Sequence, residues 1–258
     1  GEPGGLGMVD GRGRAARDLR VSLTDRCNLR CTYCMPAAGM PWLPGNTILT
    51  DAEVDTLVRI AVERLGVRKL RFTGGEPLLR PGLAGIIAQA ASLRTDEGRA
   101  TELSLTTNGV GLDRRIDELA AAGLQRVNVS LDSLDPHRYA ALARRDRLDD
   151  VLRGLAAADA AGLRPVKVNA VVMRGVNEAD VVPLLDFCLR RGFRLRFIEQ
   201  MPLGPKHGWD RSAMVPAAES LAMLRTAFEL TPAPGRGAAP AEEWLVAASD
   251  GRPAGRVG

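Results

Sequence analysis

The sequence predicts an α/β fold in which parallel strands curl into a partial (β/α)6 barrel, followed by a C-terminal extension. Short β-rich runs alternate with helical patterns six times, and a glycine often separates a helix from the next strand. Each predicted strand also carries polar residues on one face and apolar residues on the other. Six repeats in βα order imply a parallel sheet with right-handed crossovers.

The predicted elements follow one another without long irregular gaps. Strands are expected near 18–24, 67–73, 101–107, 126–131, 165–172 and 193–199. Helices are expected near 51–65, 81–92, 113–122, 148–161 and 178–191. Beyond Met201 the alternation stops, and a helix near 216–228 and two short strands are expected there.

Local signals mark where these helices begin and end. Polar residues that typically precede a first helical turn stand at Thr50 with Asp51, at Asp113 and at Asn177. Glycines placed between a helix and the next strand predict left-handed C-terminal caps. These glycines are Gly66, Gly123, Gly162 and Gly192.

All six predicted strands are half polar. Parallel sheets covered by helices on both faces normally read as continuous apolar runs, so helices can cover only one face here. If the sheet curls, the polar face lines a lumen, and five basic residues on it would receive a polyanion. They are Arg20, Lys69, Arg71, Lys167 and Arg196. An open sheet with a solvated polar face is the alternative.

Composition limits the kind of protein. With 258 residues and 45% apolar content, the chain can form one barrel-sized domain, placed at 18–200. Residues 1–17 are expected to form a flexible arm, and no apolar run is long enough to predict a membrane span. A net charge of +4 with 4% aromatic residues and scattered arginines predicts no nucleic-acid binding. Unpaired cysteines indicate a cytoplasmic protein.

Three of the four cysteines lie in one short loop. Cys27, Cys31 and Cys34 form a C-x3-C-x2-C pattern, whereas Cys188 lies in a helical pattern and is expected in the core. A structural zinc ion takes four ligands, and the only histidines lie far away in sequence. A four-iron cluster held by three cysteines leaves one iron open for a substrate. We therefore favour a 4Fe-4S cluster over zinc with a distant ligand or a redox thiol site.

Four sequence segments extend this interpretation. Residues 18–36 read DLRVSLTDRCNLRCTYCMP, and this segment resembles the start of the GTP 3',8-cyclase family, a radical S-adenosylmethionine (SAM) family of molybdenum cofactor biosynthesis. RFTGGEP at 71–77, TTNG at 106–109 and RFIEQMP at 196–202 resemble the same family. The resemblance runs from about residue 18 to the end of the chain and implies a partial radical SAM barrel.

The resemblance implies roles for individual residues. The loop cysteines would hold the cluster, with SAM binding its open iron. Residues at family positions for SAM are Tyr33, through its backbone, Gly75, Ser130 and Met201. Residues at positions that contact GTP are Arg20, Arg71, Thr106 and Lys167. Catalysis or triphosphate binding would involve Lys69, Arg71 and Arg196. From the residue type alone, Glu76 is a candidate partner for a cation.

The resemblance also implies a reaction. A 5'-deoxyadenosyl radical would abstract the ribose 3' hydrogen of GTP, and the carbon radical would attack C8, giving (8S)-3',8-cyclo-7,8-dihydroguanosine 5'-triphosphate. Cyclic pyranopterin monophosphate synthase would be the next enzyme, and the protein would be a homodimer. The family's second cluster site has no counterpart at 201–258, so we expect an incomplete, truncated C-terminal region.

Two other functions are compatible with the cysteine loop. A radical SAM enzyme with an auxiliary cluster could modify a peptide or a tetrapyrrole, and it would not need a basic lumen. A non-catalytic metal-binding module with a degenerate barrel is the third possibility, because a fold alone does not define a function.

Overall fold

The computed structural model describes residues 8–11, 13, 15–201, 211–234, 242–248 and 253–258. Its contacts divide the chain into two compact units. The first contains the residues up to Asn28 together with Pro41–Val127 and Arg153–Arg164. The second contains Leu29–Met40, Asn128–Leu152 and Pro165–Gly258.

The first unit contains three parallel strands. These are β1 (Asp18–Ser22), β2 (Lys69–Thr73) and β3 (Glu102–Thr107), paired in that order. Its helices are α1 (Asp51–Glu63), α2 (Leu83–Ser92) and α3 (Ile116–Ala121). The strands and helices alternate as predicted, and the helix after each strand supplies the crossover that parallel pairing requires.

The second unit continues the βα order. Strand β4 (Arg126–Ser130) pairs through its last three residues with β5 (Lys167–Val172), and β5 pairs in parallel with β6 (Arg194–Glu199). Helices α4 (Pro136–Ala143), α5 (Leu148–Ala160) and α6 (Val181–Arg191) separate these strands, with α5 shared between the units. Helix α7 (Ala217–Arg225) follows β6.

Three short strands extend the sheet of the second unit beyond β6. They are β7 (Leu230–Pro232), β8 (Trp244–Val246) and β9 (Gly255–Val257). Strand β9 pairs in parallel with β6 at Leu195, β8 pairs antiparallel to β9, and β7 pairs antiparallel to β8. The sequence predicted two short strands here and did not predict the third.

The predicted alternation of strand faces is confirmed in β2, β3 and β5, whereas Asn128 on the predicted polar face of β4 is buried and Phe197 on the predicted apolar face of β6 is only half-buried. Leu70 and Phe72 of β2 and Leu103 and Leu105 of β3 are at most 1% exposed, whereas the intervening polar residues are half-buried or exposed. Strand β5 shows the same pattern. Burying one such side chain contributes roughly 1.5–3 kcal/mol, so the apolar face accounts for much of each sheet's stability.

The signal at Thr50 is confirmed. Its hydroxyl accepts a hydrogen bond from the backbone N–H of Glu53, and the Glu53 carboxylate accepts one from the backbone N–H of Thr50. This capping box satisfies two donors at the start of α1. All four predicted C-terminal glycines have positive φ angles, as a left-handed cap requires.

The predicted helix start at Asp113 is displaced, whereas Asn177 does precede a helical turn, Glu178–Asp180, that runs into α6. A single 3-10 turn covers Leu112–Arg114, so Asp113 lies within that turn and α3 begins only at Ile116. Asn177 does not cap a helix with its side chain. Its amide instead accepts from the N–H of Met173 and donates to the carbonyl of Asp132, tying together the ends of β4 and β5. These contacts compete with the capping role that the sequence favoured.

Helix α4 was not predicted. Asp135 caps it by accepting from the N–H of Arg138 at 2.8 Å, and Pro136 occupies its first turn. Within the described residues, no helix is both long and apolar enough to cross a lipid bilayer. In the described part of the predicted N-terminal arm, Arg17 donates to the carbonyl of Gly66 at 2.8 Å; its flexibility stays a prediction.

Candidate cofactor and substrate site

The cysteine loop begins where β1 ends, and the chain after β2 runs beside it. The N–H of Leu23 donates to the carbonyl of Thr73 at 2.9 Å, and the N–H of Gly75 donates to the carbonyl of Thr24 at 2.7 Å. The N–H of Glu76 continues this ladder by donating to the carbonyl of Arg26 at 2.7 Å. The first cysteine therefore follows a backbone segment that is hydrogen-bonded on the β2 side.

Glycine is required at both positions of this turn. Gly74 has a φ of 144°, which other residues rarely adopt. A Cβ on Gly75 would collide with the carbonyl oxygens of Arg26 and Asp25. The sequence predicted that these glycines admit a ligand close to the backbone, and the structure shows that they admit the backbone of the cysteine loop. The SAM contact predicted for Gly75 stays a prediction.

Glu76 links the turn after β2 to the turn after β3. Its carboxylate is fully buried and accepts hydrogen bonds from the Thr107 hydroxyl at 2.7 Å, the Asn108 N–H at 2.7 Å and the Leu78 N–H at 3.0 Å. Burial raises the pKa of Glu76, and these bonds oppose the shift. The expectation of a cation partner is corrected, because hydrogen-bond donors within the first unit satisfy this carboxylate.

An open pocket adjoins the same turn in the first unit. Its volume is about 450 Å³, and Gly74, Gly75 and Thr24 contribute to its wall. Arg80 lies at its edge and donates to the carbonyls of Leu23 and Leu49. Arg80 was not predicted from the sequence, and these two bonds hold the end of β1 against the chain that precedes α1.

In the second unit, the cysteine loop docks on the C-terminal end of α4. The N–H of Thr32 donates to the carbonyl of Leu142 at 2.9 Å. Arg144 follows the helix in the left-handed conformation and donates to the carbonyl of Met35 at 2.9 Å. The last carbonyls of a helix lack partners within it, so the loop supplies donors that α4 needs.

Cys31 and Cys34 lie in a tight turn within this docked segment. The N–H groups of Cys34 and Met35 both donate to the carbonyl of Cys31 at 3.0 Å. Cys34 is exposed and Cys31 is half-buried. The turn therefore places two of the three predicted cluster ligands in a backbone-defined arrangement.

Tyr33, between these cysteines, is tied to the end of β4. Its hydroxyl donates to Asp132 Oδ2 at 2.7 Å, and Asp132 Oδ1 accepts from the N–H of Val171 at 2.8 Å. Burial raises the pKa of Asp132 to about 6, and burial followed by the Asp132 charge raises the pKa of Tyr33. The sequence implied only a backbone role for Tyr33 and missed Asp132, a single polar residue in a turn.

Asp132 makes stability depend on pH. Because its pKa rises from 3.8 in the unfolded chain to about 6 in the fold, the native state holds the proton more tightly. The free energy of unfolding of wild type relative to Asp132→Asn is therefore highest below pH 3.8 and falls by about 3 kcal/mol as the pH passes about 6. Chemical denaturation at pH 3.5–8 measures this difference; a constant difference over that range would contradict the prediction.

The residues present fit an iron-sulfur cluster better than a single ion. Among the described residues, no three Cys, His, Asp or Glu side chains are grouped closely enough to hold one metal ion. A cubane attaches each cysteine to a different iron, so its ligands need not converge on one point. Tyr139 Oη is buried without a hydrogen-bond partner in the described chain, and burial, followed by the Cys31 charge, raises its pKa. A sulfur-rich group at Cys31 would give this hydroxyl an acceptor.

Cys188 differs from the loop cysteines. It is fully buried in α6, and burial raises the pKa of its thiol well above its usual range. The prediction that it is a core residue is confirmed, because a thiol held neutral in an apolar setting packs as a small hydrophobic side chain.

The basic residues of the first unit share one face of its strands. Arg20 of β1 lies directly opposite Arg71 of β2, and Arg71 lies opposite Ser104 of β3. Lys69 lies opposite Glu102, 3.9 Å from its carboxylate. Two arginines and a lysine of this unit therefore lie on neighbouring strands of the same sheet face.

The second unit repeats this arrangement. Lys167 of β5 lies opposite Arg194 of β6, and Asn169 lies opposite Arg196. Lys167, Arg194 and Arg196 adjoin a small cavity together with Arg256 of β9. The structure thus brings together the predicted basic residues within each unit. A lumen formed by all five stays a prediction.

The remaining predicted residues lie at strand ends. Thr106 is half-buried near the end of β3, and Ser130 ends β4 opposite Asn169. Met201 follows β6 and is 51% exposed, so it is not a core methionine. These positions agree with the sequence prediction, while their contacts with SAM or GTP stay predictions.

Comparison with known proteins identifies the class first. Residues 21–188 match the family model of the radical SAM superfamily. Solved radical SAM structures agree at the level of fold: native anSMEcpe with bound AdoMet and Cp18Cys peptide has a TM-score of 0.61 at 19% identity, covering 80% of this chain and 56% of that one. The maturase HydG has a TM-score of 0.63 at 16% identity, covering 81% and 49%. The superfamily's cofactors are a 4Fe-4S cluster and SAM, as the cysteine loop predicted.

Curated relatives define the family more closely. A GTP 3',8-cyclase of Corynebacterium glutamicum is 63% identical over 93% of this chain and 64% of its own length. Those of Mycobacterium marinum and Streptomyces coelicolor are each 57% identical, covering 99% and 95% of this chain and 70% and 71% of their own lengths. The chain belongs to the GTP 3',8-cyclase family. It spans slightly less than two thirds of the Corynebacterium relative.

Proposed function

We propose that this chain is the radical SAM portion of a GTP 3',8-cyclase. The reaction converts GTP to (8S)-3',8-cyclo-7,8-dihydroguanosine 5'-triphosphate in the first step of molybdenum cofactor biosynthesis. The observation that supports this substrate is the placement of basic residues at opposite positions of neighbouring strands, Arg20 opposite Arg71 and Lys167 opposite Arg194. Several cations on one strand face can bind a polyanion through charge-assisted hydrogen bonds.

The cofactor residues lie at the starts of loops that follow strands. Cys27, Cys31 and Cys34 would each ligate one iron of the cluster. A bound cluster would supply the electron that cleaves the sulfonium of SAM to a 5'-deoxyadenosyl radical. SAM itself would contact the backbone of Tyr33 and Gly75, with Ser130 and Met201 completing its surroundings. The N–H of Gly75 donates to the carbonyl of Thr24, and Tyr33 lies in the turn closed at the carbonyl of Cys31, so both segments are pre-organised to orient SAM.

The substrate residues would hold the triphosphate and ribose through charge-assisted hydrogen bonds. Arg20, Arg71, Thr106 and Lys167 would contact GTP, and Lys69, Arg71 and Arg196 would bind the triphosphate or act in catalysis. Arg196 and Lys167 lie beside the same small cavity. Their charges would fix the phosphates while the ribose faces SAM.

A peptide- or tetrapyrrole-modifying enzyme is the alternative within the superfamily. The structural neighbour anSMEcpe was solved with a bound peptide, but at 19% identity this likeness concerns the fold alone. Such a substrate would not require like-charged pairs on the polar strand face. A non-catalytic metal-binding module would not require them either.

Partners and location follow from the same proposal. The cyclised nucleotide would pass to cyclic pyranopterin monophosphate synthase, the protein would form a homodimer, and its site of action would be the cytoplasm.

A GTP titration of the anaerobically reconstituted protein tests the proposal. Isothermal titration calorimetry should show saturable binding of GTP, and mass spectrometry after addition of SAM and dithionite should detect 5'-deoxyadenosine with little or no cyclised nucleotide, because residues 201–258 carry no cysteines for the family's second cluster. A cluster-loaded protein that binds no GTP in the micromolar to millimolar range would support the peptide- or tetrapyrrole-modifying alternative.

Lys167→Ala and Arg71→Ala should each weaken GTP binding while leaving the fold intact. Losing one charge-assisted contact costs about 1.5–3 kcal/mol, which is roughly 10- to 100-fold in Kd.

The matched control is Arg59→Ala, which removes an exposed arginine that pairs with Glu63 on α1. It lowers the net charge by the same amount and should leave the Kd unchanged. Wild-type GTP affinity in both Lys167→Ala and Arg71→Ala would contradict the proposed phosphate site.

A further inference from the structure

Asn108, in the turn after β3, reaches the cysteine loop with its side-chain amide. Its Nδ2 donates to Asn28 Oδ1 at 2.7 Å and also donates towards Cys27 Sγ at 3.8 Å. An amide nitrogen carries two N–H groups, so both contacts can form at once. All three residues belong to the first unit.

The orientation of this amide is fixed by its other end. Asn108 Oδ1 accepts a hydrogen bond from the N–H of Val110 at 3.0 Å. A flipped amide would place a nitrogen donor against that N–H, and it would place an oxygen against both Asn28 Oδ1 and the cysteine sulfur. The contacts therefore require that nitrogen, and not oxygen, faces Cys27.

The backbone beneath the amide is also held. The Asn108 N–H donates to buried Glu76 at 2.7 Å, and the hydroxyl of Thr107 donates to the same carboxylate at 2.7 Å. Hydrogen bonds to a buried carboxylate are among the stronger ones in proteins. The donor near Cys27 is thus mounted on a rigid turn.

We propose that Asn108 is a positioning residue that donates a hydrogen bond to the cluster-ligating sulfur of Cys27 and thereby raises the reduction potential of the cluster. This inference rests on the proposed role of Cys27 as a ligand. Reduction adds negative charge to the cluster, and a donor at a ligand sulfur stabilises that charge. No role was assigned to Asn108 from the sequence, which marked it only as part of TTNG.

Potentiometric titration monitored by electron paramagnetic resonance tests this in the reconstituted 258-residue chain without SAM. Asn108→Ala should shift the equilibrium constant for one-electron reduction about tenfold against reduction, which is about 59 mV. Asn108→Asp keeps the acceptor for Val110 but turns an oxygen towards the sulfur, so it should lower the potential at least as much.

Thr107→Val is the structural control. It removes a hydrogen bond to Glu76 from the same turn and should lower the melting temperature, yet it leaves the amide donor and should leave the potential within about twofold in the equilibrium constant. Wild-type potential in Asn108→Ala and Asn108→Asp, with full iron content, would overturn the proposal. A fall in the reduction potential of Thr107→Val as large as that in Asn108→Ala would also overturn the proposal.

A second measurement avoids variants that fail to hold the cluster. Wild-type protein grown with asparagine labelled with ¹⁵N at the side-chain amide should show a weak ¹⁵N coupling in pulsed paramagnetic resonance of the reduced cluster. Absence of that coupling would overturn the proposal directly. A protein that binds no cluster at all would instead overturn the proposed function, so the two failures are distinguishable.

Discussion

Replacing Cys27, Cys31 or Cys34 by Ala is expected to abolish the 4Fe-4S cluster. Each cysteine is the sole protein ligand of one iron in the proposed site, so loss of one leaves two irons without a protein ligand. Iron and sulfide analysis and the visible absorbance of anaerobically reconstituted protein measure this. We expect about four irons per wild-type chain and less than one in each variant.

Cys188→Ala is the control for these substitutions. Its thiol is buried in α6, far along the chain from the loop, and its removal should cost about 1 kcal/mol of stability through a small cavity. Iron content should match wild type. Stoichiometric zinc in place of iron, or cluster loss in Cys188→Ala as large as in the loop variants, would contradict the assignment of the ligands.

Gly75→Ala is expected to displace the start of the cysteine loop. A Cβ at this position would meet the carbonyl oxygens of two consecutive residues, Asp25 and Arg26, and the Arg26 carbonyl cannot move without breaking its hydrogen bond to the N–H of Glu76. Overpacking of this kind costs about 2 kcal/mol or more. The melting temperature in thermal denaturation and the iron content after reconstitution should both fall.

Gly85→Ala is the control, and it is expected to change stability in the opposite direction. Gly85 lies in α2 and is exposed, and a Cβ added there would have no atom within 4 Å. Because Ala is a better helix former than Gly, this change should stabilise the protein by about 0.5–1 kcal/mol and leave iron content unchanged. If Gly75→Ala were as stable and as iron-rich as Gly85→Ala, that result would contradict the requirement for glycine at this turn.

The sheet was predictable because its signals are periodic. Alternating side chains along β2, β3 and β5 encode both the strand and its buried face, and six βα repeats encode parallel pairing. Helix α4 carries no such signal. It is eight residues long, and part of its stability comes from the cysteine loop that binds its last carbonyls, a contact between distant parts of the sequence.

The site residues also fall into two groups, those that a sequence pattern marks and those that no pattern marks. The cysteines and basic residues were found because spacing, strand parity and resemblance to a family mark them. Asp132 and Arg80 carry no pattern of their own, and their partners lie many residues away. Glu76 was predicted to have a cation as its partner, because only the fold shows that Thr107 and Asn108 supply its hydrogen-bond donors.

The short strands beyond β6 affect how the protein behaves in solution. Without β9, β6 would present unpaired backbone groups beside Leu195 and Phe197, a template for association with another chain. The N–H of Phe197 instead donates to the carbonyl of Gly258, and the N–H of Gly258 donates to the carbonyl of Leu195. Among the residues that the structure describes, the last strand of this sheet is β7, only three residues long and ending in Pro232, which has no N–H to donate. The sheet therefore ends in a poor template for aggregation.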